Sequence, residues 1–224
     1  PLFHVKIVKY SRVAGFAVVE VIHLKPRSPM KKSIKITVFI IGGILLFWTG
    51  MTFWVQYTGE QQVVMIGDQS SSKTALIIYN PDPIYNLDEQ VCQGFAEGLS
   101  RHGFSVKIAT VEPAQEDTAD YDLYIFCGNT YNWAPDWLIQ QFIRDHTSLE
   151  GKKVVAITVG AGDTVRSKRK LEEAVISKNA YLMDSRTYWL LRPNDETLMD
   201  EKNTQVATDM ARVWGEEIGR KSLS

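Results

Sequence analysis

The chain has 224 residues, which is enough for one ordinary domain with additional segments. Its 25 basic and 26 acidic residues leave a formal net charge of −1, so nothing in the charge balance indicates a nucleic acid or another polyanionic partner. The two cysteines, Cys92 and Cys127, form no CxxC motif, which argues against a disulfide framework and a thiolate metal site. We expect both to be buried as small apolar side chains.

Residues 1–29 are predicted to form an N-terminal tail. Their single apolar patch, residues 13–24, is interrupted by Glu20 and is too short to cross a membrane. Two interpretations remain open: a segment upstream of a natural start at Met30, or a cytoplasmic tail without a fold of its own. A short amphipathic helix on a membrane surface is the functional alternative.

A continuous apolar segment follows this tail. Residues 36–57 contain no charged side chain, and 22 residues at helical rise extend roughly 33 Å, about one hydrocarbon core. Trp54 and Tyr57 lie at its far end, where aromatic rings favour the membrane interface. We predict a transmembrane signal anchor over residues 30–57, in which residues 36–57 contact membrane lipid. A buried core helix is the alternative.

Positive charge is concentrated on one side of this segment. The lysines that precede it are Lys31, Lys32 and Lys35, whereas the other flank begins with Glu60 and Asp68. By the positive-inside rule, the N-terminus would be cytoplasmic and the C-terminal domain extracytoplasmic. The sequence has no short apolar core with an A-x-A cleavage site, so we expect the anchor to remain uncleaved.

Residues 58–73 are predicted to be a polar linker, and residues 74–224 a single α/β domain in which short apolar runs alternate with amphipathic segments. Strands are predicted at residues 75–79, 104–109, 122–127, 153–159 and 181–183, the last resuming at 187–191. Helices are predicted at residues 87–101, 135–146, 165–177 and 203–220, with one further helical turn within 112–120. This alternation indicates a three-layer, doubly wound α/β fold with a sheet of five parallel strands.

Doubly wound folds bind ligands beyond the carboxyl ends of their strands, near the point where the strand order reverses. Three loops therefore carry the candidate site, at residues 80–86, 128–134 and 160–166. We expect these loops to converge on one crevice.

Three stretches of this domain carry a resemblance to a known family. They are DYDLYIFCGNTYNWAP at residues 120–135, KKVVAITVGAGD at residues 152–163 and YWLLRPND at residues 188–195. The first resembles the third strand of the FMN-binding flavodoxin family, with its Tyr-Asp entry and Gly-x-x-x-Tyr loop. The second is similar to that family's fourth strand and the Gly-rich loop beside the flavin ring. The resemblance covers about residues 74–221 and implies the flavodoxin-like strand order 2-1-3-4-5.

The resemblance further implies that the protein binds FMN without a covalent bond and passes single electrons to a redox or protein partner that the sequence does not identify. The residues around the phosphate would be Asn80, Asp82, Tyr85 and Asn86. One side of the flavin ring would be lined by Asn129, Thr130, Tyr131 and Trp133, whose aromatic members are candidates for stacking. The other side would be lined by Gly160, Ala161, Gly162 and Asp163, where glycine lets the backbone approach the ring.

The first loop departs from the family's chemistry. The family's phosphate loop is rich in Ser, Thr and Gly, whereas residues 80–86 contain none of these and no basic residue. Pro81 and Pro83 each remove a backbone N–H, and Asp82 and Asp88 place negative charge near a phosphate. Two interpretations remain open: FMN-dependent electron transfer, or an FMN-free binding or interaction module tethered to the membrane. The sequence does not separate either from a quinone reductase or another flavin enzyme.

Other motifs give weaker evidence about the function. The glycines at 160 and 162 lack the third glycine of a dinucleotide fingerprint and follow the fourth strand, which argues against a nicotinamide site. No His or Cys has metal-ligand spacing and no nucleophile has an evident base, so neither metal ligands nor catalytic residues are predicted. The basic cluster at residues 166–170 is either a solvated helix face balanced by Glu172 and Glu173, or a docking patch for an acidic redox partner or anionic lipid.

Overall fold

The computed structural model describes residues 6–13, 16–23, 32–56, 61–145 and 149–222. They belong to two units, Pro1–Trp48 and Thr49–Ser224. Several residues named in the predictions lie outside the described ranges, namely Met30, Lys31, Tyr57, Glu60 and His146.

The first unit contains a β-hairpin. Strands β1 (Lys6–Val13) and β2 (Phe16–His23) pair antiparallel, with Val13 opposite Phe16. Both strands are rich in β-branched residues, which favour extended backbone. The hairpin differs from the expectation of a tail without a fold and from the alternative of a surface helix.

Helix α1 (Lys32–Gln56) begins in the first unit and ends in the second. Its 25 residues extend roughly 38 Å at helical rise. Among the described residues, it is the one helix long and apolar enough to cross a membrane by length and composition, and its most apolar 18 residues are all unburied. This helix therefore coincides with most of the predicted anchor.

The second unit is built on one mixed sheet. Its strands are β3 (Val63–Ile66), β4 (Lys73–Tyr79), β5 (Phe104–Thr110), β6 (Leu123–Tyr131), β7 (Ala134–Pro135), β8 (Lys153–Gly160) and β9 (Tyr181–Trp189). They lie in the order β3-β5-β4-β6-β8-β9, and β7 pairs with β6 alone. The strands from β5 to β9 in this order are parallel, which confirms the predicted sheet of five parallel strands and the order 2-1-3-4-5.

The edge strand β3 lies within residues 58–73, which the sequence indicated as a linker. It pairs antiparallel with β5, with Val63 opposite Ala109. Four apolar residues are enough for an edge strand when a long neighbour supplies the hydrogen-bonding partners.

The opposite edge strand, β9, is continuous where the sequence predicted two pieces. A register shift between Val154 and Val155 of β8 accommodates its irregular course. The polar residues that interrupt its apolar pattern find partners on the neighbouring helix: Asp184 accepts a hydrogen bond from Trp214 Nε1 at 2.8 Å. A strand on the edge of a sheet can carry such residues because one of its sides is not paired to another strand.

Helices cover both faces of this sheet. One face is covered by α2 (Leu87–Ser100) and α6 (Asn203–Lys221), and the other by α3 (Val111–Glu116), α4 (Trp137–Asp145) and α5 (Val165–Ile176). The three layers confirm the predicted doubly wound class. Cys92 and Cys127 are free thiols, fully buried in the core between the sheet and the first pair of helices, as predicted.

Helices α2 and α6 approach closely because both present glycine at their crossing. A Cβ on Gly98 would lie 2.0 Å from the carbonyl oxygen of Arg212, and a Cβ on Gly215 would lie 2.2 Å from that of Phe95. Both distances are far below van der Waals contact, so only glycine fits at these positions. The rings of Phe95 and Trp214 pack edge to face beside the crossing, with centroids 4.9 Å apart.

The start of α4 differs from the prediction. The sequence predicted Pro135 in the first helical turn, but the structure places it in β7, opposite Thr130. Asp136 caps the helix instead, because its Oδ1 accepts a hydrogen bond from the Ile139 N–H at 3.0 Å and its carbonyl accepts one from the Gln140 N–H at 3.2 Å. An aspartate at this position satisfies an N–H that has no partner within the helix.

Candidate functional site

The three predicted loops converge beyond the carboxyl ends of β4, β6 and β8. They enclose a crevice of about 240 Å³. Its walls are formed by Val55, Asp82, Ile84, Tyr85, Leu87, Asn129, Thr130, Tyr131, Val159, Gly160, Ala161 and Leu190. Most of these side chains are apolar, and among the described residues the lining includes neither lysine nor arginine.

Asp82 organises the loop after β4. Its Oδ1 accepts hydrogen bonds from the Ile84 N–H at 2.7 Å and from the Tyr85 N–H at 2.9 Å. Its Oδ2 accepts a hydrogen bond from the Tyr131 hydroxyl at 2.6 Å. The carboxylate thus closes an Asx turn and joins the loop after β4 to the end of β6.

A second carboxylate, Asp88, lies beneath this loop in the first turn of α2. Its Oδ2 accepts hydrogen bonds from the Asp82 N–H and from Asn129 Nδ2, each at 2.8 Å. Asn129 Nδ2 also donates to the Asn80 carbonyl at 2.7 Å. Asp88 is fully buried, and this burial raises its pKa to about 6 although the hydrogen bonds favour the charged form.

A third carboxylate, Asp136, is the N-cap of α4. Its Oδ2 accepts a hydrogen bond from the Asn129 N–H at 3.1 Å, while its Oδ1 accepts the one from Ile139. Asp136 is fully buried, which raises its pKa to about 7, and the negative charge of Asp88 adds to the rise. Asp136 is not among the site residues predicted from the sequence, although an aspartate directly before an amphipathic segment is a recognisable capping signal.

Tyr131 remains a hydrogen-bond donor because of its surroundings. Burial raises the pKa of its hydroxyl, and the hydrogen bond to Asp82 adds to this rise. The hydroxyl therefore stays protonated and holds the Asp82 carboxylate across the crevice. A stacking role for Tyr131 stays a prediction.

The loop after β8 packs closely against the end of β6. A Cβ on Gly160 would lie 2.7 Å from Thr164 Cγ2 and 3.0 Å from Thr130 Cβ, so this position requires glycine. The carbonyls of Gly160 and Ala161 accept hydrogen bonds from the N–H groups of Leu190 and Leu191, both at 3.0 Å. These bonds fix the wall of the crevice that Ala161 and Leu190 form.

The structure brings seven of the twelve predicted site residues into the crevice lining, and they are Asp82, Tyr85, Asn129, Thr130, Tyr131, Gly160 and Ala161. Asn80 lies buried behind the lining. The other four lie outside it: Asn86, Trp133, Gly162 and Asp163. Trp133 is 56% exposed, and the Asp163 Oδ1 accepts a hydrogen bond from the Val165 N–H at 3.2 Å at the start of α5. Whether any of the twelve residues contacts a ligand stays a prediction.

One wall of the crevice comes from the last turns of α1, whose residues 49–56 belong to the second unit. Val55 lines the crevice, and the Oε1 of the buried Gln56 accepts a hydrogen bond from the Trp137 N–H at 2.7 Å. Phe53 packs edge to face on the Trp137 ring, with centroids 5.4 Å apart. This wall was not predicted from the sequence, because the whole apolar segment was assigned to the membrane.

The basic cluster at residues 166–170 shows the features of a solvated helix face. Lys168 and Glu172 form an ion pair at 3.6 Å, and so do Arg169 and Glu173. Both pairs have the i,i+4 spacing that neighbours on one helix face adopt.

Solved structures of other proteins resemble this fold. An archaeal flavodoxin superposes with a TM-score of 0.50 at 12% identity, covering 67% of this chain and 99% of its own. A flavodoxin, WrbA-like protein from Agrobacterium tumefaciens gives a TM-score of 0.52 at 13% identity, covering 68% of this chain and 98% of its own.

The fold is flavodoxin-like.

A flavodiiron protein from Giardia intestinalis has the same fold in part of its chain, with a TM-score of 0.54 at 14% identity; the match covers 69% of this chain and 37% of that protein. No protein-family model and no curated protein sequence matches this chain. The flavodoxin-like fold therefore rests on three-dimensional similarity, and the function has to be argued from the crevice.

Proposed function

We propose that this protein is a membrane-anchored electron carrier that holds a flavin ring in the crevice of its flavodoxin-like domain. The observation that carries the proposal is an apolar crevice at the carboxyl edge of the sheet, formed by the loops after β4, β6 and β8. In doubly wound folds, this is the position at which ligands bind. A bound flavin would supply the one-electron chemistry.

Apolar walls and one hydroxyl group of the crevice would hold the flavin ring. Leu87, Val159 and Leu190 offer apolar walls that exclude water from a flat aromatic ligand. The Oγ1 of Thr130 is buried and, among the described residues, has no hydrogen-bond partner. We assign this hydroxyl to the polar edge of the ring, because a bound ligand would satisfy it.

Complete FMN does not fit these residues, because its phosphate has no place in the loop after β4. The N–H groups of Ile84 and Tyr85 already donate to the Asp82 carboxylate. Within the part of the chain that the structure describes, the crevice lining offers no basic side chain to neutralise a phosphate. We therefore propose a site for the flavin ring, without the FMN dependence that the family resemblance implies.

The membrane anchor belongs to the same proposal. Helix α1 has the length and composition of a transmembrane helix, so those residues of its apolar segment that do not pack on the second unit would contact lipid. Lysines on its N-terminal side favour a cytoplasmic N-terminus and an extracytoplasmic flavodoxin-like domain. Electrons would then pass to an unidentified partner at or beyond the membrane surface.

A second candidate function is an FMN-free binding or interaction module tethered to the membrane. The Asp82 carboxylate inside the loop favours it, since a loop that supplies its own anion needs no bound phosphate to order its N–H groups. In that case, the crevice would hold an apolar group of a partner protein or a small ligand.

Flavin titration separates the two candidates. The full chain is purified in detergent, its visible spectrum is recorded, and riboflavin is added while its fluorescence is followed. Saturable quenching of the fluorescence supports the electron-carrier proposal. A colourless protein that leaves riboflavin and FMN fully fluorescent would end that proposal and leave the second candidate.

A further inference from the structure

We infer that the crevice selects a flavin that carries no phosphate, of which riboflavin is the simplest, because the Asp82 carboxylate occupies the anion position of the loop after β4. This inference rests on the proposed function, since it names which flavin the crevice takes.

The Asp82 carboxylate uses the donors that an anionic ligand would need. Its two oxygens accept hydrogen bonds from the N–H groups of Ile84 and Tyr85 and from the Tyr131 hydroxyl, all between 2.6 and 2.9 Å. Successive backbone N–H groups of this kind form the concave anion sites of phosphate-binding loops. Here the anion is a covalent part of the chain, so a ligand phosphate would have to displace it.

Residues 81–83 of the loop offer no replacement N–H. Pro81 and Pro83 have no N–H, and the Asp82 N–H donates to Asp88 at 2.8 Å. The helix N-terminus behind the loop, which would otherwise favour a phosphate, holds the carboxylate of Asp88 in its first turn. Both the loop and the helix N-terminus therefore already carry an internal carboxylate.

The charges around the loop also disfavour a bound phosphate. A phosphate at the loop would meet Asp82 and the buried Asp88, with no Lys or Arg among the residues that line the crevice. A ligand without phosphate avoids this repulsion and still reaches the apolar walls. We expect riboflavin to bind at least about 10-fold more tightly than FMN. One like-charge contact near a protein surface, with no opposite charge beside it, costs a free energy of about this size.

The test compares riboflavin and FMN by fluorescence titration of the full chain in detergent, at matched ionic strength. Asp82→Asn keeps an oxygen for the Asx turn and removes the charge, so we expect the ratio of FMN affinity to riboflavin affinity to rise about 10-fold. Asp68→Asn is the matched control. Asp68 closes a similar turn, its Oδ1 accepting from the Ser70 N–H at 2.9 Å, in the loop that precedes β4 at the opposite edge of the sheet. This control should change neither affinity.

The outcomes distinguish this inference from the proposed function. FMN binding as tightly as riboflavin, or more tightly, to the unmodified chain would overturn the inference and leave the proposed function standing. Absence of binding by either flavin would overturn both. An FMN-to-riboflavin affinity ratio that Asp82→Asn leaves unchanged would show that the Asp82 charge does not cause the preference and would overturn the assignment to Asp82. The comparison on the unmodified chain needs no variant to fold.

Discussion

Asp88 and Asp136 are fully buried carboxyl groups directly behind the crevice. Burial raises the pKa of Asp88 to about 6 and that of Asp136 to about 7, whereas the ordinary pKa of an aspartate carboxyl is near 3.8. The folded chain therefore holds these protons over a pH range in which the unfolded chain has released them. Each group lowers the free energy of unfolding as the pH rises from about 4 toward its folded pKa, and has no further effect above it.

Asp136→Asn should remove the larger of these two effects, because asparagine stays neutral at every pH. Relative to the variant, the unmodified chain should lose roughly 3–4 kcal/mol of stability between about pH 4 and pH 7. Urea unfolding of the full chain in detergent at a series of pH values measures this difference. Asp195→Asn changes an exposed carboxylate that accepts from Thr197 and has a lowered pKa, so it should not alter the slope in this range. Parallel pH profiles for the chain with and without Asp136 would contradict the assignment.

At the scale of elements, the sequence was sufficient for the parallel strands and most helices. Buried parallel strands are uninterrupted apolar runs, and the helices have clear three-to-four periodicity. Four apolar residues between polar stretches were too few to identify β3, and charged residues divided β9 into two predicted pieces. Pro135 was assigned to α4 because proline suits a first helical turn, a preference that pairing with the end of β6 overrides.

The candidate site was predictable only in part, because tertiary contacts bring some of its residues into place. Its loops follow from the doubly wound class, which the alternation of strands and helices indicates. The contribution of Val55 depends on where the end of α1 packs, and the role of Asp136 depends on the contact between α4 and Asn129. Both are tertiary contacts that local sequence does not specify.

The crossing of α2 and α6 provides a test at this scale. Gly98→Ala would force a Cβ to within 2.0 Å of the Arg212 carbonyl oxygen, so the two helices must separate. We expect a loss of about 3 kcal/mol and a fall in Tm of roughly 6–12 °C, measured by circular dichroism. Gly162→Ala is the control, because a Cβ there meets no atom within 4 Å. Equal Tm values for the two variants would mean that the helices do not pack as described.

At the scale of the whole molecule, the chain combines an N-terminal unit of hairpin and apolar helix with a flavodoxin-like unit. Three lysines, at positions 31, 32 and 35, precede the apolar segment. Lysines on one flank favour the orientation that keeps this flank in the cytoplasm, because cytoplasmic loops carry an excess of positive charge.

This bias predicts the topology of the protein in a membrane. A compartment-specific reporter fused after Ser224 should be active outside the cytoplasm. Replacing Lys31, Lys32 and Lys35 with glutamate should lower that signal and raise the cytoplasmic one, whereas replacing the distal Lys73 should have little effect. A reporter that is active only in the cytoplasm of the unmodified chain would reverse the proposed orientation.

The central claim is that the crevice between the loops after β4, β6 and β8 binds a flavin ring. Riboflavin titration of the full chain in detergent, with and without Ala161→Phe, tests it most directly. Ala161 lines the crevice, so a phenyl ring there should fill it and weaken binding by at least about 10-fold. Ala119→Phe is the control, because Ala119 is exposed in the loop before β6. Saturable quenching that Ala161→Phe abolishes and Ala119→Phe preserves is the predicted result; no quenching, or equal quenching in both variants, would contradict the account.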